Sequence, residues 1–176
     1  MPLYSYKGIK PTLGDKVFIA PSADIVGDVI LADNVSIWHN CVARGDVNWI
    51  KIGKNTNIQD LSMLHVTKDT PLLIGENVSV GHSVTLHGCV VGDRCLIGMG
   101  AVIMDNAIIG ENSVVAGGSV VPPGKKYPPN SMIMGNPAVV KRELTKEEIE
   151  LYGNHYKAYA RYKDEYLDEN LVKLVE

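Results

Sequence analysis

An aliphatic side chain returns every six residues through most of this chain, and that period admits very few folds. Counted from Leu31, the positions fall in threes: Leu31, Ile37, Ala43; Ile52, Ile58, Leu64; Ile74, Val80, Leu86; Val91, Ile97, Ile103; Ile109, Val115, Val121. Four residues later usually comes a small or short-branched residue, as at Val35, Cys41, Thr56, Ser62, Ala101 and Ser113. A hexapeptide repeated this often predicts an all-β chain wound as a parallel β-helix: each repeat is one strand and one corner, and three repeats close a triangular coil. The aliphatic residue points inward and stacks on its counterpart one coil away, with coils about 4.8 Å apart as paired strands are. Gly follows the aliphatic residue at Gly53, Gly75, Gly81, Gly92, Gly98 and Gly110, where the chain needs either backbone freedom or close approach of another backbone. The single Phe agrees with an aliphatic core.

The register breaks three times. Ala43 to Ile52 is nine residues, an insertion around Asp46–Trp49. Leu64 to Ile74 is ten, an insertion around Thr67–Thr70. Leu86 to Val91 is five, a deletion of one. All three breaks adjoin the column that carries His65 and His87, and loops that interrupt a rigid scaffold tend to carry function. Arg44, His65 and His87 each follow the third inward residue of successive coils, so they form one column with Cα atoms about 5 Å apart. Two imidazoles so placed can share one metal ion at Zn–N bonds of about 2.0–2.1 Å. His82 stacks with Asp60 and His39 on the preceding face, one corner away from His87. A single coil is therefore not expected to bring all three histidines onto one ion. A threefold assembly, with the edge of one prism facing the side of the next, would take His65 and His87 from one copy and His82 from another. Three histidines and no carboxylate suit catalytic Zn2+ with an open fourth position, and Fe2+ or Co2+ suits the same ligands. His39 adjoins no third ligand and reads as structural; His155 reads as solvated.

From Leu144 the pattern changes. Thr145 and Glu148 form a capping box, and Ile149, Tyr152, Tyr156, Tyr159 and Tyr162 recur at helical spacing. The coil is assigned to residues 1–143 and a helical tail to 144–176, with one helix from about 146 to 167 packed along the coil. Gly153 weakens that helix by about 1 kcal/mol relative to Ala. The stretch 168–176 is expected to add a turn or fray. A net charge of −3 and a pI near 5.9 leave no electrostatic footprint for nucleic acid. The opening MPLYSYKGIK lacks the apolar run of a signal peptide, and no stretch reaches the roughly 18 apolar residues of a membrane span. Cys41, Cys89 and Cys95 then read as reduced structural thiols of a cytoplasmic protein.

Arg44-Gly45-Asp46, Asn57-Ile58-Gln59-Asp60, His65, Gly81-His82 and His87-Gly88 together resemble the γ-class carbonic anhydrase family and its ferripyochelin-binding and PaaY-like relatives, over nearly the whole chain. Crossovers between parallel strands are usually right-handed; the resemblance alone implies the left-handed exception. It also implies a homotrimer with His65, His82 and His87 as zinc ligands at the subunit interface. By the same resemblance Arg44 and Asp60 are a salt bridge between subunits, and Asp46 is a structural carboxylate near the site. Gln59 holds the hydroxide nucleophile, Asn57 lines the pocket, and Tyr159 reaches over the site. The residues alone also admit an ordinary interface arginine at 44, a corner-capping Asp60 and a helix-core Tyr159. The register by itself points Gln59 outward. One departure stands out: the founding member has Glu directly after Arg-Gly-Asp and a long acidic loop, whereas here Val47 takes that place and the loop after His65 is short, with Asp69 its carboxylate.

Three functions follow as expectations. The first is interconversion of CO2 and bicarbonate. The second is a hexapeptide acyltransferase, which would share the Gly135-Asn136-Pro137-Ala138 exit from the coil but has no reason to hold three convergent histidines. The third is a catalytically weak or non-catalytic relative of the γ-class enzymes.

Overall fold

Every inward position of the hexapeptide is buried, and together they form one continuous core. The structure, a computed structural model, describes residues 3–172. The chain is a left-handed β-solenoid with a helical tail. Its short strands pair in parallel from coil to coil, Leu64 with Leu86 and Leu86 with Ile103, Ile58 with Val80 and Val80 with Ile97. The coil reaches further than the pattern from Leu31 to Val121. Leu13, Ile19 and Ile25 pair with Leu31, Ile37 and Ala43. At the other end Tyr127 and Ile133 continue the stack, and the Tyr127 hydroxyl donates to the Ala138 carbonyl at 2.7 Å. The last coil strand, Ser131–Gly135, folds back antiparallel on Ala138–Glu143.

The six glycines after inward residues are there for close approach. A Cβ on Gly81 would lie 2.8 Å from the Met99 nitrogen, and one on Gly92 would lie 2.6 Å from the Glu111 nitrogen. None of the six has a positive φ. The left-handed conformation at the corners falls largely to Asn34, Asn55, Asn77, Asn106, Asn112 and Asn130, a residue type that tolerates it, with Leu61, Ser83 and Arg94 among the other corner residues that adopt it. The small residue beyond each corner ties coils together where it has a hydroxyl. Thr56 Oγ1 donates to the Gly75 carbonyl at 2.8 Å and accepts from the Val78 amide at 3.0 Å. Ser62 does the same with Gly81 and Val84.

The insertions appear where the spacing puts them. The strand Val42–Ile52 runs around a corner and joins two faces of the prism into one sheet, with residues 46–49 looped out opposite Asp28. The Thr67–Thr70 segment is a tight turn, closed by the Thr67 amide on the Thr70 carbonyl at 3.2 Å. Cys41, Cys89 and Cys95 are free and buried. Burial pushes their thiols up, Cys41 to about 11 and the other two to about 12, so they are protonated packing groups.

The tail is two helices rather than the single one expected: α1 (Lys146–Gly153) and α2 (Tyr156–Leu167). The break has a physical cause at Gly153. That glycine is buried against the Arg94 side chain, where a Cβ would lie 3.1 Å from the guanidinium, and Arg94 also pairs with Glu150 at 2.9 Å. Asn154 then turns back, its side chain donating to the Glu150 carbonyl at 2.8 Å. The capping box at Thr145 forms as expected, with Glu148 also gripped by Arg142. Helix α2 lies across Phe18–Ile19, Ser36–Ile37 and Asn57–Ile58. The end of the tail, residues 173–176, lies outside the described residues, and among those described no helix is long and apolar enough to cross a membrane.

Two measurements check this account. Gly92→Ala should cost about 2–3 kcal/mol, because the clash is with rigid backbone; urea unfolding reads it. Glu148 is held down to about 2 by Arg142 and the Thr145 amide. Its stabilisation is therefore complete above the ordinary 4.5 and lost as pH falls toward 2. Glu148→Gln should melt below the wild type at neutral pH, and the gap should close on acidification through that window.

Candidate metal centre

The coil register sets His65 beside His87, and the breaks in that register supply what holds them. Arg44, His65 and His87 are direct ladder partners on three successive strands. The two rings meet with centroids 5.1 Å apart, and His65 Nδ1 lies 3.1 Å from His87 Nε2. Each ring gives its other nitrogen to a carboxylate: His65 Nε2 to Asp46 at 3.1 Å, and His87 Nδ1 to Asp105 at 2.6 Å. A carboxylate only accepts, so both of those nitrogens carry the proton. When both rings are neutral the two facing nitrogens are lone pairs 3.1 Å apart, an arrangement that a shared cation relieves. Two nitrogens on one tetrahedral zinc would stand about 3.3 Å apart at ordinary Zn–N lengths. The donor pair therefore fits a divalent ion, and carboxylates behind metal-binding imidazoles are the usual outer support of such sites.

His82 stands round the corner on the second face. Its Nδ1 pairs with Asp60 Oδ2 at 2.9 Å, and its Nε2 is 3.4 Å from the Tyr159 hydroxyl. Among the described residues no three His, Cys, Asp or Glu side chains converge on one point. A single chain thus holds His65 and His87 at one corner and His82 at another. Asp60 also accepts from the His39 amide at 3.2 Å, and His39 Nδ1 meets Ser22, which leaves His39 a corner contact.

Arg44 pairs within the chain with Asp46, while Asp60 is taken up by His82 and His39. Burial works against the Asp46 carboxylate, yet Arg44 and His65 together hold its carboxyl below the usual range. Gln59 points away from the coil interior but is only 2% exposed. Its strand lies under α2, and its amide donates to Asn57 Oδ1 at 3.1 Å. Asn57 in turn donates to Ser79. Tyr159 serves two roles, packing edge-on against Trp38 at 5.5 Å while its hydroxyl faces His82. Burial and the nearby Asp60 push its phenol up from the ordinary value. Val47 is 52% exposed beside the site, and Asp69 lies exposed in the short turn after His65. Sequence reasoning missed Asp105. It lies 18 residues past His87, one beyond the 17-residue step that the deletion leaves between Leu86 and Ile103.

Residues 72–103 and 88–123 match the family model described as bacterial transferase hexapeptide (six repeats). Protein YrdA of Escherichia coli is 44% identical over 176 residues, 95% of this chain and 95% of its own. A protein named carbonic anhydrase from Geobacillus kaustophilus is 46% identical over 147 residues, 84% of this chain and 81% of its own. The crystal structure of a hexapeptide transferase family protein from Anaplasma phagocytophilum superimposes with a TM-score of 0.88 at 38% identity, covering 94% of this chain and 98% of that one.

The Trp38 contacts with Phe18, Tyr159 and Tyr166 anchor α2 beside His82. Trp38→Ala should cost about 3–5 kcal/mol and strip hydrogen-exchange protection from α2 before the coil. Tyr159→Phe, which keeps the ring, should leave the melting temperature nearly unchanged.

Proposed function

The chain belongs to the left-handed β-helix family of hexapeptide-repeat proteins that contains the γ-class carbonic anhydrases and YrdA, and from that premise we propose that it is a metal-dependent hydratase interconverting CO2 and bicarbonate. The observation that carries the proposal is the pair of carboxylate-backed imidazoles whose free nitrogens face each other at 3.1 Å. His65 and His87 of one copy and His82 of a second copy would hold Zn2+, or Fe2+ or Co2+, in a homotrimer. Bound there, the ion supplies a Lewis acid that brings the pKa of water to about 7. The chain's own residues do the rest. Asp46 and Asp60 fix which nitrogen His65 and His82 present. Tyr159 and Trp38 wall the His82 side with aromatic surface. The proton released when water adds to CO2 leaves through exposed Asp69 or buffer.

A second reading rests on Gln59 and Val47. Gln59 is buried with its amide nitrogen bonded to Asn57, and Val47 stands where the resemblance calls for Glu. Both favour a metal-holding protein with weak or no hydratase activity. An acyltransferase fits less well. The groove of about 640 Å³ along the third face is apolar, but it is rimmed by Glu76, Asp93 and Glu111 against Lys51, which suits the phosphates of coenzyme A poorly.

Metal analysis of the dialysed protein, light scattering and stopped-flow CO2 hydration test the proposal together. The expected result is a trimer with about one metal per chain and hydration above the buffer rate, falling to the buffer rate in His65→Ala. A fully loaded trimer that does not hydrate CO2 under zinc or anaerobic iron loading selects the second reading. A metal-free protein that binds coenzyme A overturns both.

A further inference from the structure

Three histidines of the candidate centre each rest on an aspartate: Asp46 lies within the first inserted loop, Asp60 on the coil, and Asp105 on the coil but braced by the second inserted loop. Asp105 Oδ1 accepts from His87 Nδ1 at 2.6 Å and from the Thr70 hydroxyl at 3.4 Å. Thr70 is the last residue of the Thr67–Thr70 insertion. It is buried, and its amide and hydroxyl are both engaged by Thr67. The first insertion clasps the second: Asn48 Nδ2 donates to the carbonyls of Thr67 and Lys68 at 3.2 and 3.0 Å. The one-residue deletion completes the arrangement. It sets Gly88 at the turn with φ +50, where a Cβ would lie 2.7 Å from Asp105 Oδ1 and would also strike Thr70. The second insertion thus touches this carboxylate, the deletion leaves the space it occupies, and the first insertion supports the second.

We infer that Asp105, braced by Thr70 from the inserted turn, is the positioning residue that fixes His87 in the Nδ1-protonated form with Nε2 free toward His65. The inference rests on the metal-site reading above for its purpose, but not for its geometry. A carboxylate accepts and cannot donate, so it selects one tautomer of the ring it faces. An amide in the same place can donate to Nδ1 and select the other. The inserted turn keeps the carboxylate in place without a cation beside it, so Asp105 is not diverted into an ion pair as Asp46 is with Arg44.

The test uses Asp105→Asn, Thr70→Val and Thr70→Ser in the full chain. Imidazole nitrogen spectra of the metal-free protein report the His87 tautomer, and competition against a chelator reports Zn2+ affinity. Asp105→Asn should lose the fixed Nδ1-protonated form and bind Zn2+ about 10–100-fold more weakly, the usual effect of removing such a support, with an unchanged far-ultraviolet circular dichroism spectrum. Thr70→Val should shift both readouts in the same direction by less, and Thr70→Ser should restore them. A wild-type tautomer and wild-type affinity in Asp105→Asn overturn the inference. If that variant does not fold, Thr70→Val with wild-type readouts overturns it instead. A wild type that takes up no Zn2+ defeats the metal-site reading alone, because the tautomer spectrum still decides the role of Asp105.

Discussion

At the corners of this solenoid the backbone of one coil lies against the next so closely that a single added methyl group has no room. Gly81 faces the Met99 nitrogen and Gly92 the Glu111 nitrogen in that way. Parallel pairing already fixes each strand to its neighbour, and a slip by one residue would turn the inward residues out. The glycine contacts add a steric stop at the corners. The result is a ruler along which residues one coil apart are forced into contact. His65 and His87 face each other because Leu64 and Leu86 are stacked beneath them.

The ruler also explains why departures from it matter. A residue added inside a strand would shift the whole stack, so the insertions are looped out, opposite Asp28 in one case and in the Thr67–Thr70 turn in the other. The looped residues are then free to reach sideways. Asp46 meets His65, Asn48 grips the second loop, and Thr70 meets Asp105. The looped residues supply the carboxylate behind His65 and the brace on the one behind His87. The irregular segments are what turn a column of histidines into rings of defined orientation.

The second face works by a different rule. Its outward residues would be exposed in a bare solenoid, but α2 lies over them and buries a row that includes Ser36, Asn57 and Gln59. Their polar atoms bond along the row, Trp38 Nε1 to Ser36 and Gln59 to Asn57 to Ser79. The same helix brings Tyr159 to His82. The tail is therefore part of the candidate site, and its break at Gly153 seats α1 on Arg94 without a clash.

The hexapeptide period by itself determined the parallel coil, the inward positions, the column of Arg44, His65 and His87, and the separation of His82 from it. It could do so because in a solenoid sequence spacing is a distance: neighbours in space sit one fixed period apart. The capping box was readable for a similar reason, since Thr145 and Glu148 are local partners. Asp105 behind His87, the ion pair of Arg44 with Asp46 and the burial of Gln59 were not readable in that way. Asp105 is brought behind His87 by the one-residue deletion and held by the Thr67–Thr70 turn, and the other two depend on where a looped segment or a docked helix comes to rest. Only the tertiary structure decided them, because side chains that leave the repeat are placed by packing and hydrogen bonding across elements rather than by the ladder that orders the rest.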